Sequence, residues 1–68
     1  MAAFRAMRKR AGRGLKETAE YIGVSTQSVN FWERGIYEPN IETIKRLADY
    51  YQCSIEELLN ADGTEGGA

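Results

Sequence analysis

Apolar residues recur along this chain at three- and four-residue spacings, and each recurrence is cut by a glycine, a proline or a capping residue. Phe4, Met7 and Ala11 share one face of a helix predicted over Ala2–Ala11 and ended by Gly12. Leu15, Thr18, Ala19 and Ile22 share a face of Leu15–Ile22, ended by Gly23. Val29 and Trp32 form the buried stripe of Thr26–Arg34, ended by Gly35. Glu38-Pro39 forces a break, because the residue before a proline avoids the helical region. Asn40 then caps Ile41–Tyr51, whose apolar face is Ile41, Ile44, Leu47, Ala48 and Tyr51. Ser54 and Glu57 fit a capping box ahead of a last short helix, Ile55–Asn60, with Ile55, Leu58 and Leu59 inward. No run alternates with period two over a useful length, and no internal repeat is visible. The pattern therefore predicts an all-α, five-helix domain over residues 1–60, with the Gly-rich stretch 61–68 as a disordered tail. Phe4, Met7, Leu15, Ile22, Val29, Ile44, Leu47, Tyr51, Cys53 and Leu58 are its expected core, with Trp32 wedged largely buried beside them.

The junction between the second and third helices is the most informative point. Glycine at 23 lets the chain take φ > 0 after the last helical turn, and Ser25 follows at once to cap the next helix with its hydroxyl. Helix, glycine turn and Ser-capped helix make the local signature of a helix-turn-helix, whose second helix enters the DNA major groove.

Composition narrows the alternatives. Sixty-eight residues make one small domain, with an expected stability of roughly 3–5 kcal/mol. One cysteine rules out an intrachain disulfide and fits a reducing cytoplasm; Cys53 reads as a small buried hydrophobe. There is no histidine, so a zinc site and the usual general base are both missing. Gly12-Arg13-Gly14 is too short for a phosphate-cradling loop and follows no strand. No enzyme, metal, cofactor or small-molecule ligand is expected. No apolar run is long enough to span a membrane, and the basic segment Met1–Gly14 lacks the apolar centre of a signal peptide.

The net charge of −1 is unusual for a nucleic-acid binder. Its distribution matters more than its sum. Seven of the nine Lys and Arg lie before Gly35, and acid predominates afterwards, which predicts one basic and one acidic side.

The ordered set Arg8, Gly12, Ala19, Gly23-Val24-Ser25, Val29, Trp32-Glu33-x-Gly35, Pro39 and Ser54-Ile55-x-x-Leu58-Leu59 resembles the Cro/C1-type (Xre-like) helix-turn-helix domain of phage repressors and bacterial transcription regulators. Each piece alone is weak; together, without gaps over Phe4–Leu59, they are specific. The resemblance implies a compact bundle of the lambda-repressor-like type, with the helix-turn-helix formed by helices 2 and 3. It also implies an ion pair between Arg8 and Glu33. Periodicity meets that at ~100° per residue, since Arg8 falls beside Phe4 and Glu33 beside Val29, and opposite charges at core margins are costly unless paired.

By the same resemblance, Thr26, Gln27, Asn30 and Phe31 would touch base edges, while Ser25, Ser28 and Arg34 would touch phosphates. The chemistry suits those roles. Gln and Asn can pair donor and acceptor with adenine, and Phe or the Thr methyl can meet a thymine methyl. Plain solvated surface is the alternative for Gln27 and Asn30, and a helix-packing or dimer contact for Phe31. Leu15 stands where many relatives carry a phosphate-binding Gln, and the loop Ile36-Tyr37-Glu38 lacks their Lys or Arg. The phosphate contacts left are Arg34, Lys16, Arg10 or Arg13, and backbone N–H groups at helix starts. The expected function is a sequence-specific DNA-binding transcriptional repressor, acting as a homodimer on a double-stranded operator with helix 3 in the major groove. A protein-interaction module that keeps the fold without DNA binding is the alternative, favoured by the acidic charge and served by exposed Tyr37 and Tyr50.

Overall fold

The helices begin and end where single residues satisfy the backbone groups that a helix leaves open. The computed structural model describes residues 2–59. It contains α1 (Phe4–Arg10), α2 (Leu15–Ile22), α3 (Thr26–Arg34) and α4 (Ile41–Tyr51), followed by α5 over residues 55–59. The expected helical residue Asn60 and the tail 61–68 lie outside the described residues. No strand occurs among the described residues, and none of their helices is long and apolar enough to cross a membrane.

Caps explain the bounds. The Ser25 hydroxyl accepts the Ser28 amide proton at 3.1 Å, and Asn40 Oδ1 accepts that of Thr43 at 2.9 Å. Ser54 and Glu57 make both halves of a capping box at 2.9 Å each. At Gly14 only half a box exists, Gly14 N–H donating to Glu17 Oε1 at 3.0 Å, because glycine has no side chain to reciprocate. α1 has no side-chain cap at all and starts at Phe4, two residues later than periodicity suggests. Gly23 and Gly35 turn the chain at φ 91° and 77°. A Cβ at Gly23 would meet nothing within 4 Å, so glycine is needed there for its dihedral and not for space.

The core is built by all five helices: Phe4 from α1, Ile22 from α2, Ile44, Leu47, Ala48 and Tyr51 from α4, and Leu58 from α5, with Val29 of α3 sealed at 1% exposure. Each fully buried Leu or Val side chain contributes about 1.5–3 kcal/mol by leaving water. A backbone bond from Ala3 N–H to the Leu58 carbonyl, 2.7 Å, closes the bundle between its two ends.

Several expected core positions are shallower than periodicity implied. Met7, Trp32 and Cys53 are half-buried and pack on the core from outside, and Leu15 is likewise half-buried. Ile41 and Leu59 are 56% and 43% exposed. Ile41 is the first residue of α4, one turn ahead of the positions that reach the core, and Leu59 borders an open groove with Ala2, Phe4, Pro39 and Ile44. Tyr50 is not the exposed residue expected: its ring stacks on Tyr21 with centroids 4.1 Å apart.

Candidate nucleic-acid interface

α3 carries the candidate residues on the side opposite its buried stripe. Its only fully buried residue is Val29, and Trp32 packs half-buried beside it. At about 100° per residue, Thr26, Asn30, Arg34, Gln27 and Phe31 spread over about 140° of the helix, with Gln27 and Arg34 most nearly opposite that stripe. Thr26, Gln27 and Arg34 are exposed; Asn30 and Phe31 are half-buried. The Phe31 ring meets Tyr37 edge-on at 5.5 Å, so the aromatic is steadied by the α3–α4 loop.

Ser25 and Ser28 are tied together at the helix start. Besides the cap bond, their hydroxyls lie 3.1 Å apart, with either able to donate. A phosphate there would meet oriented hydroxyls and the positive end of α3. Lys16 is exposed in the first turn of α2, and Arg34 in the last turn of α3. Neither is in an ion pair among the described residues, whereas Arg10 reaches Glu57 at 3.4 Å and Arg13 reaches Glu17 at 3.3 Å.

Beneath this surface Arg8 and Glu33 meet as a fork. Arg8 Nε donates to Glu33 Oε2 at 2.6 Å and Nη2 to Oε1 at 3.1 Å, with side-chain exposures of only 9% and 5%. Nη1 donates to the Arg13 carbonyl at 3.0 Å. One guanidinium thus joins α1, the α1–α2 connection and the last turn of α3. The hydrogen bond to Glu33 holds the Arg8 pKa above its ordinary value against the opposing effect of burial. Tyr51 lies close by, 2% exposed, its hydroxyl without a partner at hydrogen-bond geometry. Burial pushes it up to about 12; the Thr18 hydroxyl opposes that rise, but Thr18 gives its own proton to the Gly14 carbonyl at 2.8 Å.

One polar residue of this region has no counterpart in the sequence reading. Arg46 of α4 donates to the Tyr21 and Ile22 carbonyls, at 3.0 and 3.2 Å, where α2 runs into the turn. The available signal was indirect: α2 has no basic residue in its last turn. Among the described residues, no group of three or more His, Cys, Asp or Glu is placed to hold a metal ion.

A family model described as helix-turn-helix matches residues 4–58, nearly the whole described chain. The chain belongs to the Cro/C1-type helix-turn-helix family. Among its relatives, repressor protein C2 of Salmonella phage P22 is 36% identical over 58 residues, 85% of this chain and 27% of that protein. The transcriptional activator BcrR of Enterococcus faecalis is 33% identical over 55 residues, 78% of this chain and 27% of its own length. The transcriptional regulator ImmR of Bacillus subtilis is 31% identical, with 81% of this chain and 43% of its own length covered. A solved structure, a transcriptional regulator from Listeria innocua, superposes with a TM-score of 0.72 at 34% identity, covering 81% of this chain and 51% of that one. This member of the family therefore spans about half or less of these relatives. They include both an activator and a repressor, so the shared part is the helix-turn-helix domain and not the direction of regulation.

Proposed function

We propose that this domain reads a DNA operator as the binding unit of a transcriptional repressor, acting in the cytoplasm as a homodimer on a pseudo-palindromic site. The observation that carries this reading is α3 itself. It is anchored from behind by Val29 and the Arg8–Glu33 fork, and it presents Thr26, Gln27, Asn30, Phe31 and Arg34 on one outward arc. Thr26, Gln27, Asn30 and Phe31 read base edges; Lys16, Ser25, Ser28 and Arg34 hold the backbone. The naming of relatives as transcriptional regulators supports the same reading.

With Arg10 and Arg13 engaged by Glu57 and Glu17, few cations are left for phosphates. Each domain neutralises roughly 2–4 of them, giving a slope of log affinity against log salt of about −2 to −4. Affinity of a single domain is accordingly low, and pairing on two half-sites compensates. The test is selection of bound sites from a random duplex pool. Enrichment of a motif with two half-sites about 10 base pairs apart is expected. Recovery of no sequence above the unselected pool, with no retention on duplex DNA, overturns the proposal and leaves the protein-interaction reading.

A further inference from the structure

The turn between α2 and α3 sets the angle at which α3 leaves the bundle, and its hydrogen bonds can be accounted for one by one. The Gly23 and Val24 N–H groups both donate to the Ala19 carbonyl, at 2.8 and 3.0 Å. The last two carbonyls of α2, those of Tyr21 and Ile22, accept from a single side chain reaching over from α4, that of Arg46. A helix end also favours a cation beside it, and α2 supplies none in its own last turn. Arg46 provides both the donors and the charge.

Its guanidinium is held in turn. It lies 5.5 Å from the centre of the Tyr21 ring, Tyr21 stacks on Tyr50, and Arg13 covers the other ring at 4.4 Å. The result is a cation–aromatic–aromatic–cation column bracing α4 against α2. We propose that Arg46 is a positioning residue for DNA reading: it clamps the end of α2 so that the Gly23 turn delivers α3 at one fixed angle. Arg46 touches the turn and not the DNA, and the proposal rests on the DNA-binding reading above.

The test compares Arg46→Met, which keeps the apolar stem, and Arg46→Lys, which keeps the charge but not the fork, with the unaltered 68-residue chain. Each is held at a temperature where circular dichroism shows it folded. Losing hydrogen bonds from a charged donor is worth roughly a tenfold change in equilibrium. Arg46→Met is therefore expected to speed amide exchange at Gly23 and Val24 by about tenfold relative to Leu47 and Ala48 in the core. It should weaken binding to the selected duplex by about tenfold while leaving random duplex within about threefold, and Arg46→Lys should recover part of both effects. If Arg46→Met does not fold, Arg46→Lys carries the same two comparisons at smaller amplitude.

Unchanged exchange at Gly23 and Val24 overturns the clamp. Equal loss on selected and random duplex, with a shallower salt dependence, overturns it too, because Arg46 would then be a phosphate contact. If the unaltered chain retains neither duplex, the DNA reading falls on its own, and the exchange data alone decide whether Arg46 fixes the turn.

Discussion

Breaking the Arg8–Glu33 fork should cost far more than breaking a surface ion pair. Exposed pairs contribute about 0–1 kcal/mol because water solvates both partners. Here the side chains are 9% and 5% exposed, so a surviving partner keeps its charge without water. Glu33→Leu leaves the Arg8 cation facing an apolar side chain, and Arg8→Met leaves the Glu33 carboxylate with only the exposed Arg5, 3.9 Å away. Each single change is expected to lose about 3 kcal/mol. Arg8→Met/Glu33→Leu removes both charges and leaves apolar side chains in their place. Its residual loss is about 2 kcal/mol, mainly the bond from Arg8 to the Arg13 carbonyl. Simple addition would give about 6, so the coupling is about 4 kcal/mol. A domain with roughly 3–5 kcal/mol in total cannot lose 3 and stay well folded. The cycle is therefore run by urea denaturation followed at 222 nm, in a stabilising osmolyte common to all four proteins. A coupling below about 0.5 kcal/mol would refute the reasoning, since the pair would then behave as a solvated one.

Tyr51→Phe removes a buried hydroxyl that has no partner and should hold or raise stability by up to about 1 kcal/mol at neutral pH. Since the folded hydroxyl is pushed up to about 12 and the unfolded one titrates near 10, the unaltered chain should lose stability as pH climbs from 10 to about 12, and Tyr51→Phe should lose less; a destabilised Tyr51→Phe would mean that the hydroxyl is bonded after all. The Gly14 N–H holds the Glu17 carboxyl below its ordinary value against desolvation, with help from Arg13, so its contribution is present above the usual carboxylate range and fades as pH falls through the lowered pKa. Glu17→Gln should flatten that acid limb in thermal melts, and an unchanged limb would assign it to other carboxylates. Gln27→Ala should leave stability within about 0.5 kcal/mol, weaken the selected site by about 1–3 kcal/mol and relax preference at one base pair per half-site. Arg34→Ala should weaken all sequences alike; identical behaviour of the two variants in competition binding would sink the division of roles.

Residues 15–22, 26–34 and 41–51 were legible as helices because their ends are written locally. Gly23, Gly35, Ser25 and Asn40 each act on backbone within four residues of themselves. α1 has no such punctuation at its start, so periodicity alone extends it two residues too far. Periodicity also reports which side of a helix is apolar but not how deep it sits. That is why Trp32, Ile41 and Leu59 share a pattern with Leu47 and Leu58 and end up at very different depths. The outward arc of α3 follows from the same arithmetic that buries Val29. The Arg46 clamp and the Tyr21–Tyr50 stack were hidden because they join residues 24 or more apart, on helices whose mutual placement no local pattern encodes.

α3 places one side chain, Val29, wholly inside the bundle, and its other firm hold is a charge pair at its far end. The positions that would choose an operator and those that keep the domain folded are thus nearly disjoint sets. A lineage can substitute Thr26, Gln27, Asn30 or Arg34 with little penalty in folding, and so drift from one operator to another without passing through an unfolded intermediate. The same separation makes α3 a cassette: another helix of equal length could be written over it, provided that Val29, Trp32, Glu33 and the flanking Ser25 and Gly35 are kept.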